Sequence, residues 1–118
     1  MAQTIYSGYQ GNMIPALAAT IAISTQESSE VDCNGFVLCG VLIPAAFTGT
    51  TITFETYDPN STTWVPIKNA SGTVSYTVAQ GNYYAINPVD FYGVRQLKVK
   101  SGSSEVAART LLLSLRGF

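Results

Sequence analysis

The stretch VRQLKVK, residues 94–100, decides the fold class because apolar and polar side chains alternate along it. In an extended chain Leu97 and Val99 fall on one side, and the polar residues beside them fall on the other. A period of two predicts a β-strand with one buried and one hydrated face.

The alternation recurs along most of the sequence, and turn-forming segments rich in Gly, Asn, Ser and Pro separate the runs. We therefore predict about eight strands, over residues 20–24, 35–43, 51–55, 64–68, 73–78, 83–87, 94–100 and 109–116. No window has a sustained helical period, and 118 residues suit one domain. The prediction is an all-β domain of antiparallel strands, resembling a β-sandwich or jelly roll, with the strand order left open.

The run FVLCGVLI, residues 36–43, departs from this pattern because it is apolar on both faces. A strand of an antiparallel sheet needs such a composition only if its outer face is covered. The cover could be a loop, the N-terminal segment or another subunit. We take the outer face of this strand as a candidate subunit interface, with Val37, Cys39 and Val41 as its contacts.

The N-terminal segment also departs from the strand pattern, since it mixes Gly, Gln, Ser and Asn with scattered large apolar residues. We divide the chain into an extended N-terminal arm, residues 1–17, and a sandwich domain, residues 18–118. The arm is expected to bind a partner through Tyr6, Tyr9, Met13 and Ile14. A terminus without fixed structure is the alternative.

The composition excludes several classes of function. There is no histidine, so the commonest general base and zinc ligand are absent. The net charge of −1 includes no basic excess that would attract nucleic acid. Charged residues are only 11% of the chain, which leaves little charge to keep an isolated surface soluble. These features predict a protein that assembles with partners, without enzymatic activity or a cofactor.

The charges are unevenly distributed along the chain. Residues 1–67 hold five acids and no base, whereas residues 68–118 hold six bases and two acids. The acidic part of one copy could meet the basic part of another, or both parts could neutralise each other within one sheet system. Lys98, Lys100 and Arg116 share the outward parity of their strands and are candidate surface contacts. Arg95 and Arg109 begin their strands and are expected to pair with acids.

Other candidate sites have simpler interpretations. Glu27, Glu30 and Asp32 fit a solvated loop better than a pair of catalytic carboxylates. The turn at Asp58 lacks the glycine and the distal glutamate of a calcium loop. The apolar segment 13–23 is too short to span a membrane. Two cysteines six residues apart, Cys33 and Cys39, are expected to be free thiols.

Aromatic side chains provide a different hypothesis, carbohydrate binding, because their rings offer flat apolar surfaces with polar edges. The chain has one tryptophan, Trp64, for which a core position is the alternative. Tyr83 and Tyr84 are adjacent on a strand, so one of them should point outward. The residues that could form a sugar-stacking surface are Tyr57, Trp64, Tyr83, Tyr84 and Tyr92.

The order of these strands along the chain resembles small virion proteins of tailed bacteriophages, among them capsid decoration, or cement, proteins. The stretches that carry the resemblance are FVLCGVLIPA at 36–45, TTITFE at 50–55, WVPI at 64–67, YGVRQLKVKSG at 92–102 and LSLR at 113–116. The resemblance implies a non-enzymatic sandwich, assembled as a homotrimer, that binds the major capsid protein at junctions between capsomers. It would be made in the host cytoplasm and located on the capsid surface, whereas a tail or head-completion role is the alternative within the virion.

Overall fold

The computed structural model describes residues 13–117, of which residues 13–16 are described as backbone only. Antiparallel strands joined by turns and loops form nearly all of the regular secondary structure in this part of the chain, which confirms the all-β prediction. A single short 3₁₀ helix, Pro88–Phe91, is the exception within these residues. The strands are β1 Met13–Ile21, β2 Val31–Asp32, β3 Val37–Leu42, β4 Thr51–Asp58, β5 Thr63–Pro66, β6 Lys68–Asn69, β7 Gly72–Thr73, β8 Ser75–Thr77, β9 Tyr83–Ala85, β10 Gln96–Ser101 and β11 Arg109–Arg116.

The strands form two main sheets that pack against each other in a sandwich-like arrangement. The first sheet has the order β1-β11-β3-β9, and the second has the order β2-β10-β4-β5. Strand β8 pairs with the first half of β4, and β6 and β7 form a separate small hairpin. The strand count exceeds eight because several of these elements are only two or three residues long.

The core lies between the sheets and is formed by the apolar residues of the alternating runs. Leu111, Leu113 and Leu115 of β11 have no exposed surface, and neither do Leu97 and Val99 of β10. The ring of Phe54 in β4 meets the ring of Phe91 edge-on, at a centroid distance of 5.0 Å. The apolar positions of these alternating runs therefore face the core, as the period of two predicted. They do so because burial there removes apolar surface from water.

Residues 26–29 join the two sheets at one edge. Ser28 forms an isolated bridge with Ile21 of β1, and its backbone N–H donates to the carbonyl of Val99 in β10 at 2.8 Å. The Ser28 hydroxyl accepts from the Val99 N–H at 2.9 Å and donates to the Ser29 carbonyl at 2.8 Å. This buried serine connects a strand of the first sheet to a strand of the second.

The boundary of the predicted arm needs correction. Residues 13–17 belong to β1, in which Met13 pairs with Arg116 and Ile14 pairs with Leu115 of β11. The register shifts between Ile14 and Leu17, and this irregularity hides the alternation in the sequence. Tyr6 and Tyr9 lie outside the described residues.

Candidate functional site

A straight row of apolar side chains crosses the outer face of the first sheet. Ala18 of β1 pairs with Leu112 of β11, Leu112 pairs with Leu42 of β3, and Leu42 pairs with Tyr83 of β9. Leu112 and Leu42 are 38% and 39% exposed, and Tyr83 is 55% exposed. We call these four residues the apolar row. It is an exposed apolar surface that runs across all four strands.

Gly40 leaves the space in which the ring of Tyr83 can lie flat on the sheet. The ring of Tyr83 covers Gly40 of β3, where a β-carbon would overlap the phenol oxygen and the ring carbon that carries it. Gly40 pairs with Ser114 on one side and with Ala85 on the other, so the neighbouring positions also carry small side chains. The tyrosine can therefore rest on the sheet instead of projecting from it.

The surroundings of the apolar row carry no charge. The segments 37–42, 83–85 and 110–115, which form this part of the sheet, contain no acidic or basic residue. The next pair along β1 and β11 is Thr20 and Thr110, whose hydroxyl groups share a hydrogen bond of 3.0 Å. A partner could thus cover the apolar row without having to desolvate an ion, whereas Arg116 is exposed farther along β11.

The structure corrects two of the three contacts predicted on β3. Val37 is 7% exposed and Val41 has no exposed surface, so both side chains belong to the core of this chain and cannot form an external interface. A shift in register between Ser114 and Leu115 breaks the alternation, so residues 37, 39 and 41 do not share one face. Cys39 is half-buried, and its thiol donates to the carbonyl of Ser114 at 3.4 Å.

The outer face of the second sheet is charged and aromatic, unlike that of the first. Lys98 of β10 is 3.7 Å from the carboxylate of Glu27, and its ammonium lies 4.6 Å from the centroid of the Trp64 ring. The rings of Trp64 and Tyr57 are paired across β5 and β4 with centroids 5.4 Å apart. Trp64 is therefore not a core residue, contrary to the core alternative.

A second carboxylate, Glu55 of β4, lies in the same cluster. Its Oε1 is buried and has no hydrogen-bond partner within the described residues. Burial raises the pKa of Glu55, as do the charge of Glu27 and a hydrogen bond with it, while Lys100 and Lys98 act in the opposite direction. Two acids and two bases thus share one patch, and Lys98 and Lys100 are part of this cluster instead of isolated surface contacts.

An open groove of about 600 Å³ lies between the end of β1, the following loop and β10. Nearly all of its lining side chains are polar. The lining residues are Thr20, Ala22, Thr25, Gln26, Glu27, Ser28, Ser29, Lys98 and Lys100.

Glu27, Glu30 and Asp32, which are close together in the sequence, have different partners in the structure. Glu27 faces Lys98, whereas Glu30 accepts a hydrogen bond from the Gln96 amide at 3.0 Å and Asp32 accepts one from Arg95 at 2.9 Å. Asp58 accepts from the Asn60 N–H and the Ser61 hydroxyl, as in an ordinary turn. Within residues 13–117, no group of three or more Cys, Asp or Glu side chains is placed to hold a metal ion.

Both predicted arginine pairs are present. Arg95 and Asp32 form an exposed ion pair, whereas Arg109 donates to Glu105 at 3.1 Å in a buried one. Of the adjacent tyrosines, Tyr83 points outward and Tyr84 is half-buried, with its hydroxyl accepting from the Ala79 N–H at 2.7 Å. The cysteines are free thiols. Arg116 is exposed at the end of β11.

Sequence reasoning missed the residues that form the apolar row. Leu112 lies between Leu111 and Leu113, both of which are buried, so it occupies the parity at which a hydrated strand would carry a polar side chain. This departure from alternation could have been recognised in the sequence. The position of Gly40 under Tyr83 could not have been predicted, because β3 and β9 are far apart in sequence.

No protein-family model matches the chain, and no curated protein or solved structure was found to be similar to it. Within residues 13–117, no helix is long and apolar enough to cross a membrane.

Proposed function

We propose that this chain is a non-enzymatic structural protein of a tailed-phage virion, which decorates the capsid and bridges neighbouring capsid subunits. The observation that supports this proposal is the apolar row. Exposed apolar patches on small proteins are typical of surfaces that a partner covers. The occupant that we assign to this face is the outer surface of the shell formed by the major capsid protein.

The uncharged surroundings of the row agree with this assignment. At about 25 cal/mol per Å² of apolar surface removed from water, the exposed parts of Leu42, Leu112 and Tyr83 provide only a modest affinity for one copy. A shell offers many equivalent sites, and a subunit that contacts two capsid proteins at once gains avidity. Because the decoration protein would bind the assembled shell and not its separated subunits, it would stabilise the shell by mass action.

Co-sedimentation with expanded, empty capsids of the source phage tests the proposal. We expect saturable binding at a fixed ratio to the capsid protein, weakened little by added salt because the contact is uncharged. The double variant Leu42→Ser/Leu112→Ser should lose this binding. The matched control, Ile23→Ser/Val106→Ser, removes two exposed apolar side chains outside the row and should bind as the wild type does. Absence of binding to intact, undecorated capsids, or binding to tails instead, would overturn the proposal.

The N-terminal segment provides a separate test. The described strands begin at Met13, so deletion of residues 2–12 removes no residue of the described strands. If Tyr6 and Tyr9 anchor the protein to a neighbour, the shortened chain should keep its β circular dichroism and bind capsids more weakly. Undiminished binding would remove these tyrosines from the proposal.

We also propose that the protein assembles as a homotrimer, because three linked copies would bind a capsomer junction more tightly than one. Light scattering of the protein without capsids should then give three times the mass of one chain. The mass of a single chain at concentrations that saturate capsids would contradict the trimer and leave decoration unaffected.

A further inference from the structure

We infer that the groove between the end of β1 and β10 binds a neutral saccharide. This inference goes beyond capsid decoration and does not depend on it, because the groove and the apolar row use different side chains. The groove volume of about 600 Å³ lies within the range of small-molecule sites, roughly 300–1,000 Å³. It is open on one side, as a site for part of a longer sugar chain would need to be.

The first argument is the hydrogen-bonding capacity of the lining. Gln26 donates its amide to the carbonyl of Ser101 at 3.2 Å, which leaves its side-chain carbonyl to accept. Ser29 accepts from the Thr20 N–H at 3.1 Å and keeps its hydroxyl hydrogen to donate. Thr25 donates to the carbonyl of Ala22 at 2.8 Å and keeps its oxygen lone pairs. Sugar hydroxyls donate and accept at the same time, which is the combination that this lining offers.

The second argument is the balance of charge. Glu27 and Lys98 form an ion pair, and Glu55 and Lys100 lie beside them. With both acids ionised, the four side chains sum to zero charge. A charged ligand would find no uncompensated counter-charge in this cluster, whereas a neutral polar ligand meets donors and acceptors without the cost of burying an ion.

The third argument is the aromatic pair next to the groove. Lys98 lines the groove and also lies over the Trp64 ring, which in turn contacts Tyr57. Trp64 and Tyr57 do not line the groove themselves, so a saccharide would have to extend past Lys98 to reach them. The C–H faces of a pyranose ring pack favourably on such rings. Lys98 thus connects the polar groove to a neighbouring aromatic surface.

Amide chemical-shift mapping with cellobiose, lactose and diacetylchitobiose tests the inference. We expect at least one of these sugars to shift the amide signals of residues 25–29 and 98–100 in a saturable manner. Because Trp64 is the only tryptophan, its fluorescence should change over the same concentration range. If none of the three sugars shifts these signals, or if the shifts lie elsewhere, the inference is wrong.

Two variants identify the site. Gln26→Ala and Ser29→Ala should each weaken binding about tenfold, which corresponds to the loss of one hydrogen bond. The matched control Ser104→Ala removes an exposed hydroxyl outside the groove and should bind sugar normally. Both groove variants should still co-sediment with capsids, so a failure of sugar binding and a failure of decoration give different results. Equal sugar binding by all three variants would contradict the assignment.

Discussion

The phenol ring of Tyr83 lies directly over Gly40, two residues before its own pairing partner Leu42 on β3. This relationship keeps the ring on the sheet and places it beside the line of Leu42 and Leu112, over the neighbouring row that contains Gly40. The glycine is needed for the shape of the face, since a methyl group at position 40 would occupy the space of the tyrosine hydroxyl.

Gly40→Ala should displace Tyr83 while changing the stability of the protein little. The atoms that obstruct the new methyl belong to the end of an exposed side chain, which can rotate away. Alanine is also favoured over glycine in a strand, so we expect the free energy of unfolding to change by less than about 1 kcal/mol. Nuclear Overhauser contacts between the Tyr83 ring and residue 40 should disappear, and capsid binding should weaken.

Gly93→Ala is the matched control, because a β-carbon at Gly93 would meet open space. A double variant Gly40→Ala/Tyr83→Ala extends the test, since its unfolding free energy should show no penalty from the added methyl once the ring is gone. A large loss of stability in the single variant would contradict this account.

Glu105 holds two loops together, and we expect its substitution to destabilise the protein more than the substitution of any other described carboxylate residue. Its side chain has no exposed surface, and it accepts from the Thr48 and Gly49 N–H groups, the Ser101 hydroxyl and Arg109. In Glu105→Gln an amide donor would face these donors, and we expect a loss of about 3 kcal/mol in the free energy of unfolding. Urea denaturation measures it, with the exposed Glu30→Gln as a control that should change little.

Acidification should lower the unfolding free energy of the wild type, because it protonates the same Glu105 carboxylate. Burial would raise the pKa of Glu105, but the hydrogen bonds from Thr48, Ser101, Gly49 and Arg109 outweigh it and hold the pKa below the ordinary value of 4.5. Because the folded state favours the ionised form, its contribution is present above pH 4.5 and disappears as the pH falls through the lowered pKa. In Glu105→Gln this part of the pH dependence should be absent.

Glu55 should make a contribution to stability that depends on pH in the opposite direction to that of Glu105. Its pKa is raised by burial and by Glu27, so the folded state binds its proton more tightly than the unfolded state does. Its contribution is therefore present below pH 4.5 and lost as the pH rises through the raised pKa. Glu55→Gln should raise the melting temperature at pH 7, by an amount that corresponds to at most about 1 kcal/mol, and should give no gain at pH 4. An equal gain at both pH values would contradict the carboxylate repulsion.

Ser28→Ala should loosen the connection between the sheets. The variant removes the acceptor for the Val99 N–H, which would stay buried without a partner, and this costs about 1–3 kcal/mol. Hydrogen exchange at Val99 should become faster, and the unfolding free energy should fall. Ser104→Ala, on an exposed loop, is the control, and equal stability of the two variants would contradict the role of Ser28.

Part of the candidate site could be read from local sequence, and part could not. The outward orientation of one residue of the pair Tyr83 and Tyr84, the free thiols, and the pairing of Arg95 and Arg109 with acids were predicted correctly, since each follows from strand parity, from composition or from a position at a strand end. Val37 and Val41 were predicted to be external contacts, but both are buried. A register shift in the pairing of β3 with β11 places Val41 opposite Leu113 and Val37 opposite Arg116, so these two valines do not keep the shared parity that simple alternation predicts. The outward position of Trp64 was not assigned in advance, since the edge strand β5 is too short for its alternation to be read.

Alternation within single runs was enough to predict the all-β fold and the inward faces of β4, β10 and β11, because side chains of an extended strand point to opposite faces in turn. No sequence pattern indicated that Ala18, Leu112, Leu42 and Tyr83 pair in one row across the first sheet. The same is true of Glu27, Glu55 and Lys98, which share one patch on the second sheet. These groupings depend on which strands pair and in which register. Strand pairing is set by long-range packing, whose energy is shared among many residues, so no single stretch of sequence encodes it.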